Sequence, residues 1–150
     1  MVPHLIRGIS IGTDSLGFIY ISGYYNNEAT FGGITLSNTN QWPFGYNKDH
    51  FVAKLDSTGD VIWAIPGGDL VAGGSSDDRA LGMHVTAGGD VFITGTFWDV
   101  YYLGLPGAAA TVSVPAYQLN EGDNSLLGKI DKDGNPQWVI GFGSDGLAPG

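Results

Sequence analysis

The stretch "DSTGDVIW" (56–63) returns 75 residues later as "DKDGNPQW" (131–138). Each copy begins with an aspartate, reaches a glycine three residues on and ends on a tryptophan. The likeness extends outward: "FVAKLDSTGDVIWAI" (51–65) lies over "LLGKIDKDGNPQWVI" (126–140), matching Lys54 with Lys129 and Trp63 with Trp138. Upstream, "RGISIGTDSLGFIYISGYY" (7–25) lies over "RALGMHVTAGGDVFITGTF" (79–97) at an offset of 72, matching Arg7 with Arg79, Gly17 with Gly89, Tyr20 with Phe92 and Gly23 with Gly95. Two blocks in one order with near-equal gaps are an internal repeat, which outranks any local motif.

Each unit reads as four strands. A short alternating strand comes first, carrying Ile9 and Ile11 or Leu81, Met83 and Val85. "GFIYISG" or "DVFITG" follows, and an apolar run this short and continuous predicts a strand covered on both faces. "HFVAKL" and "DVIWAI" then flank the quoted motif, whose Asp-x-x-Gly is a hairpin connection with glycine supplying the positive φ. The tryptophan is expected to anchor its strand between neighbouring sheets. Pro136, early in the last strand, predicts an edge strand or a bulge.

Composition agrees. The 150 residues suit one compact domain. Of these, 25 are glycine without a collagen period, and hydrophobic residues make up 43%. Glycine set between short Val/Ile/Phe/Tyr runs marks an all-β chain of tight turns. Six basic against 15 acidic residues give a net charge of −9. That balance argues against nucleic acid and anionic membrane surfaces, and no apolar run is long enough to span a bilayer. "MVPHLIRG" lacks the charged and apolar regions of a signal peptide. With no cysteine, disulfides, thiol catalysis and Cys-ligated zinc drop out.

A four-stranded sheet cannot bury two apolar faces alone, and stacking copies about an axis does, as in a β-propeller. The strings "GGSSDDRALGMHVTAGGDVFITGTF" and "FVAKLDSTGDVIW" resemble the bacterial seven-bladed β-propeller-type repeats known as SBBP repeats, over nearly the whole chain from Arg7 onward. The resemblance implies antiparallel four-stranded blades, a bacterial extracellular or cell-surface location, and a structural or binding role. Unit 1 spans about 7–72 and unit 2 about 73–141; 142–150 reads as the start of a further unit or a tail. Leu126-Leu127-Gly128 departs from the family's Phe-Val-Ala. Two units do not close a ring of about four to eight blades. The expected partners are therefore further blades of a longer chain, of which this would be a piece, or other copies of itself joined head to tail as a ring or filament.

Chemistry is sparse. Asp131, Asp133 and Asn135 alternate as calcium ligands would, but the glycine comes too early and no glutamate follows, so a plain turn is favoured over calcium. "SSDD" (75–78) is a weaker oxygen cluster. His4, His50 and His84 follow no metal-ligand spacing, and no nucleophile elbow or phosphate-binding loop is present. The expectation is no enzyme and no cofactor, with a hydrolase fragment the third-ranked function. Second comes a lectin-like module. In the connector 24–49, Trp42, Phe44 and Tyr46 are the candidate ligand-binding residues, able to stack on glycans beside Asn and Gln side chains. The competing role for "ATFGGITLSN" is a hairpin packed on its own blade.

Overall fold

The computed structural model describes residues 4–37, 48–69, 78–98, 100–105, 108, 111–114 and 124–143. Every regular element among them is a β-strand. The first unit contributes β1 (Ile6–Thr13), β2 (Ile19–Tyr25), β3 (Glu28–Phe31), β4 (Ile34–Ser37), β5 (Asp49–Leu55) and β6 (Val61–Gly68). The second contributes β7 (Arg79–Val85), β8 (Val91–Phe97), β9 (Tyr101–Leu103), β10 (Val112–Val114), β11 (Asn124–Ile130) and β12 (Pro136–Phe142). All pairings are antiparallel.

The repeated motif is a turn, and the same turn occurs four times. In the hairpins β1–β2, β5–β6, β7–β8 and β11–β12, the first turn residue is Asp14, Asp56, Thr86 or Asp131. Its amide donates to the carbonyl four residues on, and the glycine amide donates back to its carbonyl. Those glycines (Gly17, Gly59, Gly89 and Gly134) all have φ between 85° and 93°, where a Cβ is strained. The side chain of the first residue completes the turn. Asp56 Oδ1 accepts from the Thr58 and Asp60 amides, Asp131 Oδ1 from those of Asp133 and Asn135, and Asp14 Oδ1 from those of Leu16 and Phe18. Aspartate recurs because a short acceptor side chain closes such a loop on itself.

The bulges repeat as well. Register shifts between Gly8 and Ser10 and between Ala80 and Gly82 lie 72 residues apart; those at Lys54/Leu55 and Lys129/Ile130 lie 75 apart. Each leaves one residue without a cross-strand partner, which accounts for the exposed Ile9, Ile62 and Leu81. Pro136 heads an edge strand beside such a bulge, as its missing amide requires.

One four-stranded sheet has the order β12-β11-β8-β7. The other runs β1-β2-β5-β6-β9-β10, so the expected four strands are extended by two that belong to the second unit. β9 pairs with β6 through Gly67–Leu103 and Gly68–Tyr102. The remaining pair, β3–β4, packs over the first sheet, where Ala29, Phe31 and Leu36 join Tyr25, Phe51 and Ala53 in one apolar cluster. That is the hairpin folded on its own unit.

The main core lies between the two sheets. Tyr20 and Val52 of the first meet Val91, Ile93 and Ile130 of the second, with Trp63 and Ile65 packed against them. Cross-strand pairing fixes the faces: Tyr20–Lys54–Trp63 form one row of the first sheet, and Val91–Ile130 and Ile93–Gly128 form rows of the second. Side chains of successive residues alternate between faces. The second sheet therefore turns toward the first the face opposite to the one bearing its own Phe92, Lys129 and Trp138. The units stack in the same sense, front onto back.

Candidate functional site

The seam between the units shows how one unit holds the next. Trp63 Nε1 and Lys54 Nζ both donate to the Lys132 carbonyl in the β11–β12 turn, at 3.1 and 3.0 Å. The Trp63 ring lies against Gly134, where a Cβ would sit 2.8 Å from Cδ2. Tyr20 packs edge-on against Trp63, ring centres 6.1 Å apart, and its hydroxyl donates to Asp14 Oδ2 at 2.9 Å. The Lys54 ammonium lies over the Phe18 ring at 4.3 Å, which keeps the buried cation in a favourable field. Ser15 donates to the Ala87 carbonyl through amide and hydroxyl, joining the two adjacent turns. A cleft of about 450 Å³ opens along this seam beside Phe18, Trp63 and Lys132.

The outer face of the second sheet carries the same gripping set. Tyr20, Val52, Lys54, Trp63 and Ile65 correspond to Phe92, Leu127, Lys129, Trp138 and Ile140, in the same cross-strand rows. Trp138 packs on Phe92 with ring centres 6.2 Å apart, and the Lys129 ammonium lies 5.7 Å from that ring's centre. This face is uncovered: Trp138 is 37% exposed, Ile140 45% and Phe142 54%. Lys129 pairs instead with Asp90 at 3.1 Å. A contiguous row of aromatic and aliphatic side chains left in water is the usual mark of an interaction surface.

A second locus is polar and buried. His50 Nδ1 and the Tyr101 hydroxyl share a hydrogen bond of 2.6 Å, and the buried His50 Nε2 has no hydrogen-bond partner among the described residues. Burial pushes the His50 imidazole down to about 3, so it is neutral. Neighbouring Asp49 is 1% exposed, and neither of its carboxylate oxygens has a partner. Burial, then the charges of Asp78 and Asp69, hold its carboxyl well above the usual range. Asp78 accepts from the Asp69 amide at 2.7 Å and the Trp98 amide at 3.3 Å, fastening the start of the second unit to the end of the first. Gly68, φ 141°, leaves the room in which Asp49 and Asp78 approach each other.

The sequence candidates fare unevenly. Trp42, Phe44 and Tyr46 lie outside the described residues, as do residues 75–77 of "SSDD". Asp131, Asp133 and Asn135 share one turn, where Asp131 Oδ1 serves backbone amides and Asp133 is paired with Lys132 at 3.8 Å. Among the described residues, no group of three or more His, Asp or Glu side chains is placed to hold a metal ion, and no helix is long and apolar enough to cross a membrane. His4 and His84 are exposed, whereas His50 is buried. Sequence reasoning weighed His50 but missed Asp49 and Tyr101 beside it, because the topology rather than any motif brings them together. No protein-family model matches the chain, and no curated protein is significantly similar to it.

Proposed function

We propose that this chain is a non-catalytic repeat module of propeller-blade type, a structural and binding scaffold of a bacterial secreted or cell-surface protein. One observation carries the reading. The outer face of the second sheet carries, in the same cross-strand rows, counterparts of the side chains with which the first sheet grips the second, and it stands open. A face built to receive another unit is the working part of a stacking module. The bacterial and extracellular assignment rests on the resemblance of the two units to SBBP repeats.

The test is a chain carrying a second copy of residues 73–141 after the first. The added unit should cover one of the two Trp138 side chains, shifting fluorescence to the blue and reducing quenching by acrylamide. The unfolding midpoint should rise. A tandem chain whose two Trp138 residues remain equally accessible, with an unchanged midpoint, overturns the reading.

A further inference from the structure

We propose that a second copy of this chain docks on the open face head to tail, its first unit standing where a following unit would stand. The proposal rests on the stacking reading above and commits that face to one occupant.

The receiving surface is exposed in the same chain at Ile11 and Thr13. Several residues of the second unit that the first sheet covers have counterparts in the first unit that are more exposed among the described residues. Met83 and Val85 pack into the main core, while their counterparts Ile11, 71% exposed, and Thr13 are open to solvent. Val91 and Ile93 are fully buried, whereas Ile19 and Ile21 are only partly so. The turn glycines say the same. Gly134 lies against Trp63 and Gly89 against Tyr20, yet nothing lies within 4 Å of where a Cβ would stand on Gly59 or Gly17. The outer face of the first unit and that of the second are thus complementary halves of one seam.

The pairing is specific enough to name contacts. Trp138 Nε1 and Lys129 Nζ would donate to the carbonyl of Ser57, the counterpart of Lys132, while the Trp138 ring covers Gly59. Asp56 and Asp60 flank that turn and supply the opposite charge to Lys129. An edge strand matches too. β9 adds to β6 in the internal seam, and β3 is its counterpart at an offset of 72, with Phe31-Gly32 matching Leu103-Gly104. Both glycines have positive φ, 57° and 95°. Among the described residues β3 pairs with β4 alone, which leaves its other edge to add to β12 of the neighbouring copy. The match fails in size at Gly12. Gly12 lets β1 approach Val85 closely, and its counterpart on the open face is His84, opposite which the neighbour offers the smaller Thr13.

Such a contact joins unlike surfaces, so it propagates into a ring or a filament. Complementation tests it. Trp138→Glu blocks the open face and Ile11→Glu the receiving end, both at exposed positions. Light scattering after gel filtration should find the wild type associated and each variant at 15.7 kDa. An equimolar mixture of the two variants should run at twice that mass, since one intact seam remains. His84→Gly should tighten association several-fold. If Trp138→Glu disturbs the near-UV spectrum, Ile140→Glu takes its place. A monomeric wild type at high micromolar concentration, an Ile11→Glu chain that still dimerises, or a monomeric mixture overturns the proposal. A monomeric wild type beside a stabilised tandem chain would mean stacking only within one chain.

Discussion

Gly59 and Gly134 hold the same place in the same turn with nearly the same φ, 93° and 85°, and differ in what surrounds them. A Cβ on Gly59 meets nothing, while one on Gly134 meets the Trp63 ring at 2.8 Å. Gly59→Ala should therefore cost about 1 kcal/mol, the strain of a left-handed alanine. Gly134→Ala should cost about 3 kcal/mol, because it also displaces Trp63 from the seam. Urea unfolding of the two variants checks this, and equal losses would mean that the tryptophan does not press on the turn. Asp49 gives a pH dependence. Its folded-state pKa is raised, chiefly by burial, so its contribution is intact below its unfolded pKa of about 3.9 and is lost as pH rises through the folded value. Asp49→Asn should be more stable than wild type by about 2 kcal/mol at pH 8 and nearly equal to it at pH 4, as read from denaturation midpoints. His50 has the opposite sign. Its pKa is depressed to about 3, so its contribution is present above about 6.5 and is lost as pH falls. Wild-type stability should peak between these limbs, and Asp49→Asn should flatten the alkaline one alone. A variant tracking the wild type at every pH would mean that the Asp49 carboxylate is solvated or paired.

At the scale of elements, the four main strands of each unit were legible, because turn glycines and short apolar runs are local signals. Pro136 likewise announced its edge strand. The connectors were less legible. Ala29 and Phe31 of β3 correspond to Tyr101 and Leu103 of β9, but no identity survives between these residues to reveal it. Nor does any local signal tell that β3 stays with its own unit while β9 crosses to the edge of β6. That choice is made by long-range pairing. The same holds for the open face: Trp63 and Trp138 read alike in sequence, and only the stacking order leaves one in the seam and the other in solvent. The crossing has a measurable consequence. Leu103 is 1% exposed, pairs with Gly67 of the first sheet and packs over Gly128 of the second. Leu103→Ala should cost about 3 kcal/mol and speed amide exchange in β6 and β11 together. Leu36→Ala, in the hairpin over the first unit, should raise exchange in β5 and β6 and leave β11 protected. Equal patterns from the two variants would mean that β9 does not tie the units.

The described residues form two repeats locked together by two strands that the second lends to the first. In a plain stack each unit touches its neighbour through side chains, and stability is close to a sum of units and interfaces. Here β9 and β10 of the second unit complete the edge of the first sheet, and one core cluster draws residues from both units. Asp78 adds a polar fastening, because its carboxylate holds the amide of Asp69 at the end of the first unit. The main core is lost to both units when either opens, so unfolding should be a single cooperative transition. The two tryptophans that match across the repeat make this testable. With Trp63 as the sole reporter in one variant and Trp138 in another, the other tryptophans being phenylalanine, the two fluorescence curves in urea should coincide with each other and with far-UV circular dichroism. An earlier transition at Trp138 would mean that the second unit frays on its own, its open face lacking the neighbour that the first unit has.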